Sequence, residues 1–187
     1  MMNSDKKVQT LVLIALFTAL TIAGTMIKIP LPTGAFIHFG NAVVLLAVLL
    51  TGYWQGSLAG GLGFFIFDLF NGYANEASYF LLESFVVGAA AYAGFKLFKK
   101  QPKAVWQVVI IGIMAGIAKF IMSVIKATVM SMIAGAQLKP AFFAALATMP
   151  ATVINIFSTI IIVSLVYFPL RKAMQTIFHN QPIHFKP

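Results

Sequence analysis

Four ionisable side chains interrupt apolar runs of this chain: Asp68, Glu83, Lys119 and Lys126. At the centre of a helix facing lipid each would cost roughly 2.5–3.5 kcal/mol, so such residues turn toward a protein interior or a watery cavity and are candidates for function. Lys119 and Lys126 stand seven residues apart and share a helical face, with Ser123 between them. Asn155 adds an amide that both donates and accepts. One carboxylate, two ammonium groups and an amide suit binding of a polar heteroaromatic ring. They do not suit catalysis: the chain has no Ser-His pair in a G-x-S-x-G context, no H-E-x-x-H and no phosphate-cradling G-x-x-x-x-G-K-[ST]. No enzymatic activity is expected.

The elements that must position these groups are membrane spans. The chain has 187 residues, of which 60% are hydrophobic and 9% charged. Its mean hydropathy of +0.94 is far above that of a soluble domain. Apolar runs over about 8–29, 38–53, 55–70, 77–98, 105–133 and 141–168 predict an all-α integral membrane protein, a bundle of six transmembrane helices forming one domain over 1–187. The first run is too long for a cleaved signal segment. Residues 175–187 show no apolar periodicity and are expected to form a flexible cytoplasmic tail. The chain has no cysteine, and His179 and His184 lie in that tail without a carboxylate partner, so no metal site is expected.

Thirteen Lys/Arg against four Asp/Glu read as topology, not as nucleic-acid binding. Lys6 and Lys7, then Lys96, Lys99, Lys100 and Lys103, then Arg171, Lys172 and Lys186 all fall on one side of a six-span arrangement. The other side receives Lys28 and Lys139 from its loops. Both termini are therefore expected in the cytoplasm. The rise of ~1.5 Å per residue puts Lys119 about 22 Å and Lys126 about 33 Å above the cytoplasmic end, with Glu83 about 10 Å below the outer end. Lys119 and Glu83 thus come to nearly one level, and a polar cavity is expected in the outer half of helices 4, 5 and 6. A Glu83–Lys119 pair that only neutralises two charges is the competing structural reading. Two outer loops, Pro30–His38 and Asn71–Glu76, are placed to cover such a cavity. Small residues mark contact surfaces: Gly56, Gly60 and Gly63 on helix 3 for packing within the bundle, and Ala15, Ala19 and Ala23 on helix 1 for a neighbour inside or outside it.

The stretches Ile37-His38-Phe39-Gly40-Asn41-Ala42-Val43-Val44, Gly52-Tyr53-Trp54-Gln55-Gly56-Ser57-Leu58-Ala59-Gly60-Gly61-Leu62-Gly63 and Asp68-Leu69-Phe70-Asn71-Gly72-Tyr73 resemble the substrate-specific S components of energy-coupling factor (ECF) vitamin transporters. The likeness is greatest to the hydroxymethylpyrimidine/pyridoxine branch and extends over essentially the whole chain. It implies capture of a small vitamin or precursor at the outer face of a prokaryotic cytoplasmic membrane. It also implies association with a transmembrane T component and a pair of ABC-type ATPases, which use ATP and Mg; this chain carries no cofactor. Ala15-x-x-x-Ala19 matches the family's helix 1 signature, which implies docking on the T component.

Their donor and acceptor chemistry gives the expected roles: Glu83 accepts from an exocyclic amine or hydroxymethyl, Lys119 and Lys126 donate to ring nitrogen or oxygen, and Asn155 does either. Phe36, Tyr73, Tyr79 and Phe120 are candidates to stack on a ring, while His38, Asn41 and Asp68 rank second, as braces of the first loop and of the helix 2–3 packing. A stand-alone ion-coupled secondary transporter, with Glu83, Lys119 and Lys126 as an ion path, and a purely structural membrane subunit are the alternatives.

Overall fold

The computed structural model describes residues 4–30 and 36–177. Among these the chain forms seven helices and one short hairpin. Helix α1 (Ser4–Met26) leads into strands β1 (Lys28–Pro30) and β2 (Phe36–His38), which pair antiparallel with Lys28 opposite His38 and Pro30 opposite Phe36. The remaining helices are α2 (Gly40–Thr51), α3 (Tyr53–Phe70), α4 (Ala74–Leu97), α5 (Val105–Ile133), α6 (Leu138–Ala147) and α7 (Pro150–Ile177). Helices α1, α4, α5 and α7 are each long and apolar enough to cross a membrane. The chain is a multi-pass membrane protein.

Four expectations are corrected. The sixth predicted run is two helices, because Pro150 has no N–H to continue α6 and disfavours helical backbone at Met149, yet is well placed as the first residue of α7. Helix 2 begins at Gly40, not at residue 38: His38 belongs to β2. Its twelve residues span about 18 Å, less than a bilayer core, because the hairpin occupies the space above it. Helix α4 begins at Ala74, so Glu76 lies in its first turn and not in the preceding loop. Helix α7 also runs on to Ile177, taking in the start of the expected tail; His179, His184 and Lys186 lie outside the described residues, as do residues 31–35 of the first loop.

Helix α3 is central, and its glycines explain how. Gly52 turns the chain between α2 and α3 with φ of 92°, a conformation that side chains with a Cβ rarely adopt. One turn later Gly56 meets the α2 backbone so closely that a Cβ there would lie 2.3 Å from the Val48 nitrogen. Gly60 receives Val44 of α2, Gly63 receives Thr21 of α1, and Gly61 receives Leu81 of α4. The glycine stripe therefore packs within the bundle, through close van der Waals contact of the kind that holds helices together in lipid. Gly56→Ala is expected to lower the thermal unfolding temperature of the detergent-solubilised protein markedly, because the clash is with backbone and costs at least the ~1–3 kcal/mol of an overpacked core.

The alanine stripe behaves differently. Helix α1 buries Phe17, Thr21, Gly24 and Thr25 against the bundle, while Ala15, Ala19 and Ala23 lie on its exposed side. Charges segregate along the bundle as well. The start of α1, the α4–α5 connection and the end of α7 share one end, where the Arg171 guanidinium donates to the Pro102 carbonyl at 3.2 Å. Lys6, Lys7, Lys96, Lys99, Lys100, Lys103, Arg171 and Lys172 gather there; the hairpin, the α3–α4 turn and α6 form the other end.

Candidate functional site

Because α4 and α5 run antiparallel, residues on their facing sides pair in reverse order. Glu83 meets Lys119 and, nearer the hairpin end, Glu76 meets Lys126, each carboxylate receiving the lysine's ammonium directly. Glu83 is 2% exposed and takes a second hydrogen bond, from the Tyr79 hydroxyl at 2.9 Å. The Phe80 ring lies between the two lysines, with Lys126 Nζ 4.5 Å and Lys119 Nζ 5.1 Å from its centroid. An aromatic face stabilises ammonium groups held away from water, so Phe80 supports both pairs. The sequence placed Glu83 and Lys119 at one level; Lys126 has its own partner.

Toward the basic end from the Glu83–Lys119 pair lies a cavity between α2, α3, α4, α5 and α7. Its polar lining is Asn41, Glu83, Ser84, Lys119, Asn155 and Thr159. Apolar walls come from Val44, Leu45 and Val48 on α2, from Phe64 on α3, and from Val87 and Ala91 on α4. At its edges Gly88, Gly112 and Gly116 let helices approach closely: a Cβ there would lie 2.1 Å from the Ser57 hydroxyl oxygen, 2.9 Å from Ile160 and 2.5 Å from Ile156. Of the residues singled out in sequence, Glu83, Lys119, Asn155 and Asn41 line this cavity, whereas Lys126, Ser123, Tyr79, Tyr73, Phe36, His38 and Asp68 are not in its lining. Ser84, Thr159 and the α2 face carried no signal in the sequence that separates them from ordinary packing.

The hairpin is fixed above this cavity by Asn155. Its side-chain oxygen accepts the His38 N–H at 2.9 Å and its NH2 donates to the Phe36 carbonyl at 3.0 Å. One amide thus satisfies both polar groups on one edge of β2, as buried backbone groups require. The sequence reading gave Asn155 to a ligand; its amide holds the hairpin.

His38 braces the same region from the other side. Gly40 N–H donates to His38 Nδ1 at 3.2 Å, and the Asn41 side-chain amide lies 3.4 Å from Nε2. Burial, and then the Lys119 ammonium, lower the His38 pKa from 6.5 to about 3, so the imidazole is neutral at physiological pH.

The outermost layer is aromatic. Phe36, Phe67 and Tyr73 cluster, with Phe67 and Tyr73 stacked at 6.5 Å, and Lys28 Nζ lies 5.2, 5.4 and 5.8 Å from the Phe36, Phe67 and Tyr73 rings. Phe36 and Tyr73, put forward as stacking residues, pack against each other at 5.9 Å. Asp68 is buried beneath this layer, with one carboxylate oxygen unpaired among the described residues.

A membrane bundle with a covered, mixed polar and apolar cavity and no catalytic constellation has the form of a binding subunit, and the comparisons agree. The family model described as "ECF-type riboflavin transporter, S component" matches residues 5–172. The chain belongs to this family of S components. The fold agrees: the crystal structure of an S component for biotin from an ECF-type ABC transporter is similar with a TM-score of 0.60 at 21% identity, covering 92% of this chain and 95% of that one. The S component of a bacterial ECF transporter is similar with a TM-score of 0.57 at 20% identity, covering 94% of this chain and 99% of that one. Among curated proteins, none matches. As an S component the chain is a substrate-binding part of a vitamin transporter and not an enzyme.

Proposed function

We propose that this S component captures a small heteroaromatic vitamin or precursor, hydroxymethylpyrimidine or pyridoxine, from outside the cell. The observation that carries the reading is the cavity lining: the carboxylate, ammonium and amide of Glu83, Lys119 and Asn41 lie beside walls of Val, Leu, Ala and Gly. Acceptor and donor side by side match a neutral ring with both kinds of group on its edge, and the smooth apolar walls match its faces. Each polar group of the site left unmatched would penalise a wrong ligand. A flavin is the second reading, favoured by the family to which the chain belongs.

Delivery requires partners. The chain docks on a transmembrane T component through Ala15, Ala19 and Ala23, and two ABC-type ATPases hydrolyse ATP with Mg to drive transport. The gathering of basic residues at one end supports a cytoplasmic location for both termini, in a prokaryotic cytoplasmic membrane.

The test is titration of the purified, detergent-solubilised chain alone with hydroxymethylpyrimidine and pyridoxine by calorimetry, and with riboflavin by its fluorescence. Sub-micromolar binding of a one-ring compound is the expected result. Tight binding of riboflavin alone would favour the second reading. No binding of any of the three would overturn both.

A further inference from the structure

Buried threonines in helices ordinarily return their hydroxyl proton to the helix, bonding the carbonyl one turn back. Thr21, Thr25, Thr51 and Thr128 all do so, donating to Phe17, Thr21, Ala47 and Val124 at 2.8, 2.7, 2.6 and 2.8 Å. Thr159 is the exception among the buried threonines described. It is 9% exposed, and its hydroxyl has no hydrogen-bond partner among the described residues. The carbonyl that would receive it, that of Asn155, is engaged by the Ser158 hydroxyl at 3.0 Å. Thr159 also lines the cavity.

We propose that Thr159 is a specificity-determining substrate contact, its hydroxyl meeting a hydrogen-bonding atom on the edge of the ligand that points away from Glu83 and Lys119. The assignment rests on reading this cavity as the vitamin site. Thr159 lies one helical turn, about 6 Å, beyond Asn155 toward the basic end. On the facing helix Gly116 packs against Ile156 and Gly112 against Ile160, which sets Thr159 at a level below Lys119 on α5. By these pairings Thr159 stands about six residues of α5, roughly 9 Å, below Lys119, so a ligand reaching both levels carries polar atoms at its opposite ends. The hydroxyl both donates and accepts, so it takes a ring nitrogen, a carbonyl or a hydroxyl there. Ser84, the other hydroxyl of the lining, already donates to the Phe80 carbonyl at 2.9 Å. A ligand with a bare hydrocarbon edge at that end would leave the Thr159 hydroxyl buried and unmatched, and so bind more weakly.

The experiment compares the full-length wild type with Thr159→Val and Thr159→Ser, titrated with hydroxymethylpyrimidine, pyridoxine and riboflavin. Val keeps the shape and removes the hydroxyl; Ser keeps the hydroxyl and removes a methyl. Thr159→Val should weaken the bound compound about tenfold or more, and Thr159→Ser should stay within about threefold of wild type. Ligand-free thermal stability of Thr159→Val should equal or exceed that of wild type, because no protein hydrogen bond is lost. Unchanged affinity in Thr159→Val, beside a wild type that binds, would overturn this assignment alone. Weakening in both variants together with lower ligand-free stability would mark a packing role and overturn it too. A wild type that binds none of the three would overturn the vitamin reading of the cavity and this assignment with it.

Discussion

Glu83→Gln and Lys119→Met, made separately, are each expected to weaken vitamin binding at least tenfold while the chain still reaches the membrane. Each also lowers ligand-free stability, and this second effect makes the experiment informative. Glu83 is 2% exposed and Lys119 14%, so removing either partner leaves the other charge buried without compensation. That costs about 3–5 kcal/mol in well-buried pairs, although here Phe80 and the Tyr79 hydroxyl absorb part of it. The double variant Glu83→Gln, Lys119→Met separates the two roles. Both charges are then gone, Tyr79 can still donate to the Gln oxygen, and stability should return to near wild type, since an apolar replacement of a buried pair is often neutral or stabilising. Affinity should not return, because the ligand has lost its acceptor and its donor together. Thermal unfolding in detergent reads the first quantity and calorimetric titration the second. Recovery of both in the double variant would show that the pair only neutralises itself.

The pairing of Glu83 with Lys119 was legible because helical rise is uniform: counting residues from each membrane edge brought them to one level. The same count misjudged Lys126, since Glu76 read as part of a polar turn, while α4 begins two residues before it. The strands on either side of the Pro-Gly loop have three residues each, too few alternating positions to announce a hairpin. Asn155 was legible as a polar group midway along a membrane helix, and it read as a ligand contact. That its partners are the backbone groups of Phe36 and His38, more than a hundred residues away in the chain, is a property of the fold alone. Nor do Val44, Leu45 and Val48 differ in sequence from any other apolar residue of α2, although they form a wall of the cavity. Periodicity identifies a buried face; it does not say whether that face meets a side chain or a space.

Ala15→Trp and Ala19→Trp are expected to abolish uptake while leaving ligand affinity and thermal stability of the isolated chain within about twofold of wild type. The two positions lie on the side of α1 opposite Phe17 and Thr21, which anchor it to the bundle, so a large side chain there meets lipid in the isolated protein and disturbs no internal packing. A helix face of small residues allows another helix to approach closely, and an indole would hold that helix several ångströms away, forfeiting contacts that depend steeply on distance. Leu165→Trp on α7, 70% exposed and remote from the alanine stripe, serves as the control for bulk in lipid. It should transport normally. Co-purification of each variant with the T component and the ATPases locates the defect: loss of the complex with retained binding is the expected pattern for the alanine variants. An intact complex would show that this face of α1 is not the docking surface, and equal loss in Leu165→Trp would show that the contact extends beyond α1.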